Sequence, residues 1–70
     1  MQPKPGRTYI EKNECGMERV LVVRRIEGRN VIGFYWHFDN HATSACHVTL
    51  DGFGRRFELS PVQVAPELVV

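Results

Sequence analysis

The stretch Val31-Ile32-Gly33-Phe34-Tyr35-Trp36-His37-Phe38 decides how this chain folds. His37 is its only polar residue. A strand with one face in water alternates apolar and polar side chains, and this one does not. The whole chain has 70 residues, too few to cover both faces of a wide sheet with its own side chains. One face is therefore expected to build the core, and the other is a candidate contact surface. The bulkier set, Ile32, Phe34, Trp36 and Phe38, is assigned to the core. Val31, Gly33, Tyr35 and His37 are then expected to face outward; with the assignment reversed, Phe34 and Trp36 form the exposed patch instead.

Upstream of this strand, Glu27-Gly28-Arg29-Asn30 is a turn signal, and before it Met17 to Glu27 is β-branched and strand-like. The two runs predict a β-hairpin. Arg24 breaks the parity shared by Val20, Val22 and Ile26, which predicts a bulge near Arg24-Arg25. Gly33 points to a bulge or to the close approach of another backbone. The N-terminal Pro3-Lys4-Pro5-Gly6 opens an extended segment that runs through Arg7 to Glu11. Asn13-Glu14-Cys15-Gly16 reads as a loop.

Downstream, residues 39–45 form a polar loop, and Cys46 to Leu50 a short strand. Asp51-Gly52 is compatible with a hairpin turn. Leu50, Phe53 and Phe57 are spaced instead by three and four, the period of a helix, so a single helical or 3₁₀ turn is expected. Glu58 to Val64 is the last expected strand, with Pro61 confining part of it to an edge. The domain is expected to span residues 1–66, and residues 67–70 to form a loose tail.

About five short strands without a long amphipathic helix predict an all-β fold, a small barrel. The order of strand, loop, hairpin, loop, strand, helical turn and strand is that of an SH3-like barrel. Pro3, Gly6 and Tyr9 form a P-x-x-G-x-x-Y pattern. With Leu50, Phe53 and Phe57 and the hairpin between them, the layout resembles small SH3-like proteins encoded by phages and prophages. That resemblance spans roughly residues 3–64 and implies a fold and a mobile-element origin. It carries over no functional residue.

Composition narrows the function. Formal net charge is +1, and seven of the nine cations are arginine. Residues 1–35 hold seven basic against four acidic side chains, a net +3, and the second half carries −2. No apolar run approaches the ~20 residues of a membrane span. Met1-Gln2-Pro3-Lys4-Pro5 lacks the apolar core of a signal peptide, so a cytoplasmic protein with two reduced thiols, Cys15 and Cys46, is expected.

His37, His41, Cys46 and His47 lie within eleven residues and supply zinc-type ligands. They lack a C-x₂-C pair, and adjacent Cys46 and His47 point to opposite faces of a strand, so no metal or other cofactor is expected. A cysteine or Asp39 near a histidine has no third orienting group, so no catalytic residue and no enzymatic activity is assigned. A small-molecule substrate is not expected in a barrel of this size.

Macromolecular recognition is left. Arg24, Arg25 and Arg29 share a hairpin with Tyr35, Trp36 and His37, and these six are the candidate binding residues. Aromatic and arginine side chains are enriched at protein interfaces. The expected function is a non-enzymatic protein-binding module, its partner a host or phage protein or a second copy of the chain. Single-stranded nucleic acid or RNA is the alternative, because arginine beside aromatics also suits stacked bases.

Overall fold

The computed structural model describes residues 2–12, 19–65 and 67. Five strands and one helix follow in order: β1 (Thr8–Glu11), β2 (Arg19–Glu27), β3 (Asn30–His37), β4 (Thr43–Thr49), α1 (Leu50–Arg56) and β5 (Phe57–Leu59). All strand pairs are antiparallel, and the sheet order is β4-β3-β2-β1-β5. β4 and β5 do not pair, so the sheet is open. The fold is all-β with one short helix.

The expected hairpin is present. Glu27 pairs with Asn30, and Gly28, with φ +58°, takes the first central position of the turn. Positive φ at that position is what a two-residue hairpin loop with glycine first requires. The expected bulge is present as well: Val23 pairs with Gly33 and Arg25 with Ile32, which leaves Arg24 as the extra residue. At this bend a Cβ on Gly33 would collide with the Val22 carbonyl, so close backbone approach explains the glycine.

Helix α1 spans seven residues, longer than one turn. Thr49 caps it by accepting a bond from the Gly52 amide at 3.1 Å. Asp51 in the first turn and Arg55 and Arg56 in the last suit the helix dipole. The helix carries Phe53 onto one face of the sheet. Phe57, just beyond its end, stacks on Phe53 at 5.0 Å, and Tyr9 meets Phe53 edge-on at 4.9 Å. With Leu21, Val23, Val31 and Cys46 these rings form the main core.

The parity assigned to β3 is therefore reversed. Val31 is 1% exposed, and Tyr35 packs against the main core. Phe34, Trp36 and Phe38 lie on the other face, against a smaller cluster of Val20, Val22 and Val64. Volume explains the choice. Phe53, Phe57 and Tyr9 already fill the space under α1, so β3 must offer it small or slender side chains such as Gly33 and Val31.

The last strand is also shorter than Glu58–Val64. After Leu59 the chain leaves the sheet and straps across the second face. There the Val64 amide donates to Thr8 Oγ1 at 2.9 Å and the Ser60 amide to the Thr8 carbonyl at 3.0 Å. The Gln63 carboxamide accepts from the Thr8 amide and donates back to its carbonyl. β4 begins at Thr43, three residues before the expected start. The expected loop at Asn13–Gly16, the start of the strand at Met17 and Leu68–Val70 of the expected tail lie outside the described residues. Among the described residues no helix is long and apolar enough to cross a membrane.

Candidate functional site

The β3–β4 half of the second face is the part of the sheet that the described residues of the C-terminal strap leave open. Alternation along β3 brings Ile32, Phe34 and Trp36 to it, about 7 Å apart along the strand. All three are half-buried. From β4, Phe34 faces Ala45, Ile32 faces His47, and Trp36 faces Thr43. The bulge delivers the cations. Arg24 is exposed, and its guanidinium carbon lies 5.7 Å from the centre of the Phe34 ring. Arg25 donates through Nε to Glu27 Oε1 at 2.8 Å. A shallow cavity of about 310 Å³ opens between Arg24, Arg25, Ile32, Phe34, Ala45 and His47.

Trp36 has a second neighbour. The His41 ring stacks on it, with centroids 5.4 Å apart and planes 15° apart. The β3–β4 turn makes this stack. The His37 amide donates to the Ala42 carbonyl at 3.0 Å, and Asn40 Oδ1 accepts from the Ala42 amide at 2.9 Å. His41 takes φ +56° between them, an uncommon conformation for a residue with a Cβ.

The six candidate residues are not brought together. Arg24, Arg25 and Trp36 reach the open face. Tyr35 and His37 share the opposite, core-side parity. Tyr35 donates its hydroxyl to Glu11 Oε1 at 3.1 Å, and Arg19 lies over its ring at 4.0 Å. His37 Nε2 lies 3.3 Å from Ser44 Oγ. Arg29 sits at the hairpin tip beside a separate cavity of about 380 Å³ that Thr49, Leu50 and Asp51 also line. Phe34, expected in the core, and His41, expected among zinc-type ligands, belong instead to the open strip.

Glu11 is the centre of a second constellation, on the core side. Its carboxylate accepts from Arg19 at 3.3 Å, Arg56 at 3.1 Å and Tyr35. Burial pushes its pKa up, but the bonds from Arg56 and Tyr35 and the charges of Arg56 and Arg19 outweigh this and hold it below the usual 4.5. Burial, and then Cys46 and Glu11, push the Tyr35 hydroxyl well above its ordinary value. Burial also pushes the Cys46 thiol up, despite the Tyr35 hydroxyl and the Arg56 charge nearby. A thiol held protonated is a poor nucleophile. This cluster ties β1, β2, β3 and α1 together and has the character of a structural clamp. Its partners lie 8, 24 and 45 residues from Glu11, so no local pattern could have pointed to them.

The four zinc-type ligands are dispersed. Cys46 is in the main core, His47 on the open face, His41 on Trp36 and His37 beside Ser44. Among the described residues no three His, Cys, Asp or Glu side chains gather as a metal site would need. Comparison with protein-family models, with curated proteins and with solved structures finds no match. The functional reading therefore stands on the geometry of this chain.

Proposed function

We propose that this chain is a non-enzymatic binding module that recognises a protein through the open strip of Arg24, Phe34 and Trp36. The observation that carries this is the strip itself: three half-buried apolar side chains in line on β3, with an exposed arginine lying over one of them. Partly buried aromatics beside an arginine are the composition of interface hot spots. The observed element order supports reading the open sheet as an SH3-like half-barrel. The resemblance to phage and prophage proteins makes a host or phage protein the expected partner, in a cytoplasmic setting.

Nucleic acid is the second reading, and one observation favours it. The His41 ring stacks on Trp36, the face-to-face arrangement that a base would take on it. Against it, Arg25 is already paired with Glu27, and the formal net charge is only +1.

The test is affinity capture from host lysate with the wild-type chain and with Arg24→Glu, each with and without nuclease. Arg24 is exposed, so its reversal spares the fold. A protein captured by the wild type, lost with Arg24→Glu and indifferent to nuclease supports the proposal. Equal capture by both chains refutes the strip. Loss on nuclease treatment, with capture that falls steeply as salt rises, moves the assignment to nucleic acid.

A further inference from the structure

The open sheet has two edges, and they are built differently. β5 is three residues long, carries Glu58, and is followed closely by Pro61. Short length, charge and proline are ways by which a protein keeps an edge from pairing. β4 has seven residues, Thr43-Ser44-Ala45-Cys46-His47-Val48-Thr49, with no Lys, Arg, Asp, Glu or Pro. Its register with β3 runs without a bulge over all seven pairs. Among the described residues none of these protective devices is present on this edge.

The hydrogen bonds fix which backbone groups the edge presents. The His37 amide donates to the Ala42 carbonyl at one end of the β3–β4 ladder, and the Leu50 amide to the Arg29 carbonyl at the other. Hydrogen-bonded pairs alternate along an antiparallel ladder, so Ser44, Cys46 and Val48 are bonded to β3. The amides and carbonyls of Thr43, Ala45 and His47 point away from the sheet. Among the described residues nothing bonds to these six groups. The Thr49 carbonyl is not free for pairing, because Thr49 caps α1 and a cap residue's carbonyl starts the helix ladder.

We infer that two copies of this chain pair through β4, antiparallel about a twofold axis at Ala45, and join their five-stranded sheets into one. In this register Ala45 faces Ala45 of the second copy, and Thr43 faces His47. All six outward groups of each copy are then bonded, without reaching into the helix cap. Ser44 faces Cys46 of the second copy on the core side. A twofold contact must be self-complementary, and β4 is: it sets no charge against a like charge, and Thr43, Val48 and Thr49 are β-branched. Arg24 and Arg25 sit on β2, so the two arginine pairs stand five strand spacings apart. That is about 24 Å, beyond the ~8–10 Å reach of a charge in physiological salt. A charged peptide from another protein would find no countercharge along β4, whereas a second copy needs none. The inference stands on the edge and does not depend on the binding reading above. If both hold, the two open strips become one continuous face.

Analytical ultracentrifugation of the full chain, from about 1 µM to about 1 mM, tests it. The wild type should pass from monomer to dimer mass. Ala45→Lys sets two like charges together at the axis. Ala45→Pro removes an outward amide and no bond to β3. Both should weaken association at least about tenfold while far-UV circular dichroism stays that of the wild type. In a Cys15→Ser background, Ser44→Cys should cross-link to Cys46 of the second copy on oxidation, because a non-hydrogen-bonded pair holds Cα atoms about 4.5 Å apart. A wild type that stays monomeric to about 1 mM overturns the inference, as does a dimer that survives in both Ala45 variants.

Discussion

Gly33→Ala and Gly54→Ala add the same methyl group at two glycines, and the structure demands opposite outcomes. At Gly33 the new carbon would collide with the Val22 carbonyl, which is backbone and cannot rotate away. Relief requires β2 and β3 to part at the bulge. Overpacking of this kind costs about 1–3 kcal/mol. One or two ladder hydrogen bonds lost with it add about 1 kcal/mol each. The total, about 2–5 kcal/mol, is large for a chain whose whole stability should be about 3.5–10 kcal/mol at 70 residues. At 4–8 °C per kcal/mol the melting temperature should fall by at least about 8 °C. Gly54 lies inside α1 with nothing within 4 Å of the new carbon. There alanine should stabilise by about 0.5–1 kcal/mol, because glycine gives up more backbone freedom in a helix. Thermal melts of both variants at one protein concentration, followed by circular dichroism, provide the assay. A Gly33→Ala chain that melts with the wild type would show that the backbones do not approach there, and the explanation of this glycine would be wrong.

Two further outcomes follow from the cores. Tyr35→Ala removes a ring from the main cluster together with its bond to Glu11, and should cost about 3–5 kcal/mol in urea titration. Trp36→Ala, at the half-covered margin of the second face, should cost about 1–2 kcal/mol, and equal losses would refute the division of β3 into two faces. The pKa of Glu11 is lowered in the folded chain, so its contribution is full above 4.5 and is lost as pH falls through the lower folded value. Glu11→Gln should therefore lower stability at neutral pH and flatten its acid dependence below 4.5, and an acid limb as steep as the wild type's would remove Glu11 as its source.

The parts legible in the sequence are those fixed by neighbours along the chain. The hairpin at Gly28, the bulge at Arg24 and the helical spacing of Leu50 and Phe53 each follow from backbone geometry within a few residues. What the chain order hid was long-range. Both parities of β3 are apolar, and only the three rings brought by β1, α1 and β5 decide which one has room beneath them. The C-terminal strap was hidden because Gln63 and Val64 reach Thr8 by hydrogen bonds across 55 and 56 residues. Of the candidate site, Arg24, Arg25 and Trp36 were legible as residues. Their separation from Tyr35 and His37 was not, because it depends on that same parity.

The two faces also differ in what is left for them to do. On the core side, Glu11 holds Arg19, Arg56 and Tyr35, so these polar groups already have a use within the fold. On the other side the described part of the strap anchors at Thr8 and packs Val64 against Val20 and Val22. Phe34, Trp36, Arg24 and the outward amides of β4 therefore fall in one region, the half of the sheet that neither α1 nor the described part of the strap covers. Among the described residues the covering segments close the core, and the aromatic strip and the unpaired edge end up side by side. Recognition and self-association then draw on adjacent surfaces. Arg24→Glu and Ala45→Pro separate them, since the first alters the strip without touching the edge and the second removes an outward amide of the edge without adding a charge to the cavity that Ala45 shares with Arg24.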